Sequence, residues 1–366
     1  MNDAIVIGAG PAGSLSALLL ARAGWGVTVL EQHAFPRDKV CGECLSSRGI
    51  DVLRRVGLHD GLMAHQPNAL LGVNLHAVNG RTMSMALPRP MMGVSRQLLD
   101  AYLLAAAASA GAIVRHRVRC EQIEPAPRAL VRVRDLITNQ MQTLRASHVI
   151  LADGKASLPG KSPRHTGDFG IKSHFVQIAG PCDAIEMFGC ADCYGGIAAI
   201  EQERWNVSFS VPRSRLMRFG SRLDELFGQL AAENPTLRRR MSSATRVSPW
   251  VTSPVPRFGT QPAIAANVVR VGNGSAAMEP ICGEGMGVAL RSAELAVAAL
   301  LDASGQRGRG GHRMAAVARG AAWSLRRNAC RAGGILASSP PASRIALAVL
   351  ENLNLGGAVM RVIGKS

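Results

Sequence analysis

The hexapeptide Gly8-Ala9-Gly10-Pro11-Ala12-Gly13 spells G-x-G-x-x-G, and the chemistry of that spacing is a close approach of backbone N–H groups to a pyrophosphate. Gly8 permits the tight turn, Gly10 lets the backbone reach the phosphates, and Gly13 lets the following helix pack on its strand. Glu31 stands eighteen residues beyond Gly13, where a carboxylate accepts both ribose hydroxyls and disfavours a 2′-phosphate. Proton transfer is a second kind of chemistry. His174, within Lys172-Ser173-His174-Phe175, is a candidate base, although a lone histidine on a strand is more often structural. His76 is a weaker candidate. Thiols are the third kind. The two C-x-x-C pairs, Cys41/Cys44 and Cys190/Cys193, lie some 145 residues apart, whereas paired zinc knuckles usually lie about 15–20 apart, so no metal site is expected. There is no H-E-x-x-H and no nucleophile triad.

These groups need elements to hold them. Residues 4–8 read as a short buried strand, Pro11 to Ala23 carries helical spacing at Leu15, Leu18 and Leu19, and Val27 to Leu30 reads as a second strand. Such a β-α-β unit puts the glycines at the strand-to-helix turn. Ser46 to Val56 and Gln97 to Ala110 read as helices. Leu70 to Ala77 and Arg81 to Leu87 read as a hairpin closed at Asn79-Gly80 by a tight I′-type turn. Ile113 to Val118, Leu130 to Val133 and His148 to Leu151 read as further strands, the last running into Asp153-Gly154. From about 165 to 265 the texture is strands with Gly and Cys turns, interrupted by one amphipathic helix from Leu216 to Leu230. Val268 to Val271 is a strand before a Gly-rich loop and a helix from Glu284 to Leu301.

The expected fold is therefore α/β and discontinuous. Residues 1–70, 95–160 and 265–305 form a nucleotide domain, 71–94 and 165–264 an inserted β-rich substrate domain, and 306–366 a helical C-terminal segment. Met83, Met85, Met91 and Met92 are expected in the core.

Of the 366 residues, 47% are hydrophobic and only 18% charged, enough for two packed cores and too few charges for a disordered chain. The longest uncharged apolar stretch, Ala101 to Val114, is shorter than the roughly 18 residues a membrane helix needs. No basic leader precedes the first strand; a soluble cytoplasmic protein is the expectation. The balance of 42 basic and 25 acidic residues is +17, nearly all of it Arg, with Lys only at 39, 155, 161, 172 and 365. That excess fits an acidic protein partner, or peripheral contact with a lipid surface. Nucleic acid is not expected, because no helix-turn-helix, zinc-finger or RNP pattern occurs and aromatics, at 4%, are too few for stacking platforms.

Together with the N-terminal fingerprint, Ala152-Asp153-Gly154 with Ser157, and Val271-Gly272-Asn273-Gly274 through Pro280, Gly283, Glu284, Gly285 and Met286, resemble the three FAD motifs of group A flavoprotein monooxygenases. The stretch Phe35-Pro36-Arg37-Asp38-Lys39-Val40-Cys41-Gly42-Glu43 resembles the geranylgeranyl-reductase-like branch. The resemblance covers about residues 1–300. It implies a glutathione-reductase-type, Rossmann-like domain holding FAD extended, with the isoalloxazine over a cavity shared with the β-rich domain. On this likeness FAD contacts fall to Gly8, Gly10, Pro11, Ala12, Gly13, Glu31, Gln32, Arg37, Cys41, Gly42, Arg96, Val118, Asp153, Gly154, Asn273, Pro280, Gly283, Gly285 and Met286. Arg37 and Arg96 are the basic residues near the flavin and its phosphates, a role that suits a guanidinium fork. The last helix would turn its N–H groups to the electron-rich N1/C2=O edge of the flavin. Cys41, Glu43 and His174 are the candidate catalytic residues.

Two departures stand out. Gly272-Asn273 replaces the usual Gly-Asp, keeping an acceptor oxygen and losing a charge. Tyr194-Gly195-Gly196-Ile197-Ala198-Ala199 replaces the Y-x-W-x-F-P of prenyl reductases, so the aromatic wall is missing, and the W-x-W-x-I-P of flavin halogenases is also absent. The resemblance implies hydroxylation of an electron-rich ring, phenol or indole, through a flavin C4a-hydroperoxide. The net charge points to a ring presented by an acidic partner protein, for example on a tryptophan. With no second G-x-G-x-x-G, NAD(P)H docks transiently or a separate reductase delivers electrons. Two alternatives stand beside this reading: a flavin-dependent reductase of isoprenoid double bonds, and a non-catalytic flavin redox sensor using Cys41/Cys44.

Overall fold

Strand β1 (Asn2–Ile7) pairs in parallel with β2 (Val27–Glu31) on one side and with the last strand of the N-terminal half, β9 (Met141–Leu151), on the other. The computed structural model describes residues 2–154, 167–255, 259–260, 264–277, 279, 281 and 283–303; Ser157, Pro280 and the 306–366 segment lie outside them. Helix α1 (Pro11–Arg22) crosses from β1 to β2, with Pro11 in the first turn, where its missing N–H leaves no bond unmade. The first sheet runs β6 (Ile113–His116), β2, β1, β9, β8 (Ala129–Asp135), β7 (Val118–Glu124). β9 is long enough to serve two neighbours on one edge. Its start lies antiparallel to β8, and Val149 to Leu151 lie parallel to β17 (Val268–Arg270). The carboxyl ends of five parallel strands, β6, β2, β1, β9 and β17, thus share one edge, where open α/β sheets bind ligands.

Helices α4 (Arg96–Ser109) and α8 (Gly285–Ala303) pack on α1. Ser95 caps α4 by accepting from the Leu98 N–H. α2 (Ser47–Arg55) and α3 (His59–Met63) complete that layer. The Ser46 hydroxyl leaves the α2 cap unmade and donates to Glu284 instead.

The second sheet runs β14 (Thr245–Arg246), β10 (Phe169–Val176), β13 (Trp205–Val211), β12 (Tyr194–Ala199), β11 (Ala184–Gly189), β4 (Asn68–His76), β5 (Thr82–Gly93), β3 (Cys44–Leu45), with β15 (Val251–Pro254) also on β10. Strand period two sorts its side chains. One face carries Ile171, Phe175, Ile197, Val207 and Phe209 and packs under α5 (Arg213–Phe219), α6 (Leu223–Glu233) and α7 (Pro235–Arg240). The other face carries two cross-strand rows, Lys172–Ser208–Gly196–Met187–Leu75–Met83 and His174–Asn206–Ala198. That face is polar on β10 and β13 and apolar on β11, β4 and β5. A short ribbon of β16 (Gly259–Thr260) and β18 (Ala276–Ala277) lies outside both sheets.

Two local expectations are corrected. The single helix expected over 216–230 is two, α5 and α6, because Gly220 takes φ +56°, which a helix cannot carry through. In the 77–81 turn only Gly80 is left-handed, at φ +85°, so it is not type I′, which needs two such residues. Met83, Met91 and Met92 are buried, as core residues. Among the described residues, no helix is long and apolar enough to cross a membrane.

Candidate functional site

The three segments that resemble FAD motifs meet at the carboxyl edge of the first sheet. A methyl on Gly13 would lie 1.9 Å from the Gly8 carbonyl oxygen, and one on Gly8, itself at φ +97°, 2.5 Å from that of Ala152. One on Gly272 would lie 3.2 Å from Ala12 Cβ, and one on Gly274 3.3 Å from Asp153 Oδ1. Residues 8–13 and 152–154 therefore pack with no room for side chains at Gly8 and Gly13, and residues 272–274 lie in tight contact with them. Gly10 differs. A methyl there meets only Arg96 Nη2, at 3.7 Å, so its outer side is open, and α1 has no side-chain cap of its own, leaving its N-terminus suited to an anion.

Glu31 is buried at the end of β2. Its Oε2 accepts from Ala9 N at 2.9 Å, its Oε1 from His33 N at 2.9 Å, and Arg37 Nη2 lies 3.7 Å away. Arg37 Nε is buried with no hydrogen-bond partner among the described residues. Open phosphate approach, strand-end carboxylate and unsatisfied guanidinium nitrogen together fit a dinucleotide with a free ribose hydroxyl. Gln32 is half-buried beside Glu31, and Val118 is buried in the apolar cluster with Ile7 and Leu30. Asn273 is half-buried in a tight turn whose Gly272 N–H donates to Ser292 Oγ at 2.8 Å. Gly283 is left-handed at φ +60°, Gly285 is exposed at the start of α8, and Met286 is buried. Burial pushes the Asp153 carboxyl up to about 6, against the pull of Arg270 and Lys39.

Arg96 lies beside Gly10, but its fork is taken up by Asp100, one turn on, with Nε–Oδ1 2.7 Å and Nη2–Oδ2 2.5 Å. Both side chains are buried. Burial opposes the Arg96 charge, and the Asp100 pairing outweighs it, holding the guanidinium well above its ordinary range.

A second cluster ties the segment between β2 and β3 and the start of α4 to β10 and β13. Glu43 has a left-handed backbone, φ +56°, and a fully buried side chain. Its Oε1 accepts from Arg96 N at 2.7 Å and Lys172 Nζ at 2.6 Å, and its Oε2 from His174 Nε2 at 2.7 Å. Lys172 also donates to Asp38 Oδ1 at 2.7 Å, Gln97 donates to Asp38 Oδ2 at 2.7 Å, and Asn206 Nδ2 donates to the Cys41 carbonyl at 3.1 Å. Side chains of β10 and β13 thus grip residues 38–43. Burial pushes the Glu43 carboxyl up, but the His174 bond and the Lys172 charge outweigh it and hold the group below its ordinary range. An ionised carboxylate only accepts, so Nε2 carries the proton and a neutral His174 keeps its lone pair on Nδ1. That is the arrangement of a base oriented by a carboxylate. Asp38, Glu43 and His174 offer ligand atoms within 4.8 Å of one another, but the Lys172 ammonium bonds both carboxylates and takes the place a metal cation would need.

Cys41 is half-buried, its Sγ accepting from Glu43 N at 3.4 Å, and Cys44 Sγ donates to the Gly42 carbonyl at 3.2 Å. His76 stacks on Phe188 and bonds Thr82, in the interior of the second sheet's hairpin. Sequence reasoning did not reach Asp38, Lys172, Asp100 and Asn206, nor the bond from the Tyr194 hydroxyl to Glu279 Oε1, 2.7 Å, which ties the second sheet to the late loop. Burial and the Glu279 charge push that phenol well up. A signal existed for Lys172: in a chain with five lysines, one stands in an apolar strand two residues from His174, hence on the same face.

Residues 1–174 match the family model described as FAD binding domain. Over 330 residues the chain is 25% identical to conditioned medium factor receptor 1 of Dictyostelium discoideum, covering 83% of this chain and 64% of that one. It is 31% identical over 162 residues to menaquinone reductase of Mycolicibacterium smegmatis, with 43% and 39% covered. It is 33% identical over 129 residues to kynurenine 3-monooxygenase of Stenotrophomonas maltophilia, with 32% and 28% covered. The chain spans less than two thirds of the length of each of these relatives. In structure it is similar to flavin-dependent brominase Bmp2, with a TM-score of 0.81 at 16% identity, covering 100% of this chain and 93% of that one. The chain is thus built on the fold of the flavin-dependent halogenases, and its first 174 residues carry the sequence of an FAD binding domain.

Proposed function

We propose that the chain is an FAD-dependent monooxygenase that hydroxylates an electron-rich aromatic ring, a phenol or an indole. The observation that carries this reading is the buried 2.7 Å bond between Glu43, just before β3, and His174 on β10. It holds His174 as a base for the O–H or N–H of such a ring, and taking that proton raises the ring's electron density. When bound and reduced, FAD supplies the electrons and activates dioxygen. The chain's own residues do the remaining work. Gly10 and the N-terminus of α1 hold the pyrophosphate, Glu31 the ribose, and Arg37 adds a cation beside them. Lys172, His174 and Asn206 make the polar end of the second sheet's inner face, and Met187 and Leu75 its apolar end, a wall suited to a flat ring with one polar hydrogen. The likeness to kynurenine 3-monooxygenase supports the same class.

The ring is presented by an acidic partner protein, in this reading. Arg215, Arg222 and Arg246 are paired with Glu233, Glu225 and Asp224, whereas Arg213, Arg218, Arg238 and Arg239 on α5 and α7 are exposed with no acidic partner among the described residues. Unpaired guanidinium groups on one helical layer favour an acidic surface. Electrons come from transiently docked NAD(P)H or from a separate reductase. The match to menaquinone reductase favours a second reading, the reduction of an isoprenoid double bond, and with it the geranylgeranyl-reductase-like branch. Oxygen uptake by FAD-loaded protein, with NADH or NADPH and with phenol or indole, separates the two. Substrate-stimulated uptake supports hydroxylation; anaerobic turnover of a prenylated substrate without oxygen consumption removes it in favour of reduction.

A further inference from the structure

We propose that Lys172 and Asp38 form the proton outlet of the buried Glu43–His174 pair, relaying to solvent the proton that His174 collects. The inference rests on reading His174 as the base. Glu43 is fully buried, and His174 and Lys172 are each about 1% exposed, whereas Asp38 is 15% exposed. Of these four linked side chains, only Asp38 has appreciable water contact. Gln97, which donates to Asp38 Oδ2, also lines an open surface cavity of about 290 Å³ with Pro36, Ser95 and Arg204, so the outer end of the chain borders bulk water. Lys172 Nζ bonds both carboxylates, at 2.6 and 2.7 Å, and bridges the buried acid to the solvated one.

A base that turns over must lose its proton each cycle, and a bound ring would seal the substrate side of His174. Protonated His174 passes its Nε2 proton to Glu43 Oε2, and the neutral carboxyl turns over to bring that proton to the Lys172 side. Lys172 gives one ammonium proton to Asp38 Oδ1 and takes the one on Glu43. Asp38 releases its proton to water. One proton leaves; Glu43, Lys172 and Asp38 return to their starting states, and His174, left with its proton on Nδ1, regains the Nε2–H form by the reverse transfer once the ring has gone and Nδ1 can lose that proton to water. A carboxylate and an amine can each gain and lose a proton in this way; an amide or a guanidinium cannot.

The experiment follows the Nε2 proton of His174 by NMR in the flavin-loaded full chain labelled with ¹⁵N-histidine, the signal assigned by its loss in His174→Gln. It needs no substrate and no turnover, so failure of the hydroxylase reading would leave its result intact. Wild type is expected to exchange this proton rapidly with water. Asp38→Asn keeps an acceptor for Lys172, Lys172→Arg keeps the charge, and each should slow exchange by about tenfold or more because neither new group can relay a proton. Asp38→Glu should restore the fast rate. If both folded variants exchange this proton as fast as wild type, or if wild type is already slow, the relay is wrong. Should Asp38→Asn fail to fold, Lys172→Arg decides alone.

Discussion

Replacing Asp153 by Asn should stabilise the flavin-free chain at neutral and alkaline pH. Asp153 sits between the Gly8 turn and the Gly274 turn, its Oδ1 in the space a methyl on Gly274 would approach to 3.3 Å. Burial raises its carboxyl from 3.8 to about 6, and neither Arg270 nor Lys39 undoes the shift. Between those values the folded chain holds a proton that the unfolded chain has released. Stability from this group is therefore fully present below 3.8 and lost as pH rises through 6. At about 1.36 kcal/mol per pH unit, and discounting partial solvent contact, the loss comes to about 2–3 kcal/mol. The amide of the Asp153→Asn variant has no proton to lose, so the gap between its urea midpoint and that of wild type should open across that window. A variant no more stable than wild type at pH 8, or a stability gap between the two that does not widen from pH 4 to 7, would refute the reasoning.

Three further outcomes follow from the same geometry. Gly13→Ala places a methyl 1.9 Å from a backbone oxygen, so α1 must shift off β1, and the purified variant should be colourless where wild type retains flavin. Asp100→Ala strands the buried Arg96 charge and should cost about 3–5 kcal/mol in urea unfolding, while Arg96→Met/Asp100→Leu together should recover most of it. Glu43 is held below its ordinary value, so its stabilisation is present above the usual carboxylate range and is lost as pH falls through its folded value. Glu43→Gln should flatten that acid limb of the stability profile, and an unchanged limb would show that the network with Lys172 and His174 holds no charge.

The nucleotide half was legible because its signals are local. A strand period of two, a helix period near 3.6 and three spaced glycines within Ile5 to Glu31 each act over one or two turns of chain, and the structure adds only the contacts that explain the glycines. The hairpin, the long α4 and the late α8 were readable for the same reason. The break at Gly220 was missed because one glycine interrupts an otherwise amphipathic pattern, and composition does not report its φ. The splitting of β9 between β8 and β17 was not legible either, since strand partners are chosen by the sheet.

What the amino-acid order determined unaided was the dinucleotide cradle: Gly8, Gly10, Gly13 and Glu31 lie in one β-α-β unit whose geometry is set by short-range sterics. What only tertiary structure decided was the charge cluster. Asp38 and Glu43 come from the segment between β2 and β3, and Lys172 and His174, about 130 positions later, from β10. Nothing local links them; they meet because the inner face of the second sheet closes on residues 38–43, and because a buried carboxylate stays charged only where cationic and hydrogen-bonding partners converge on it.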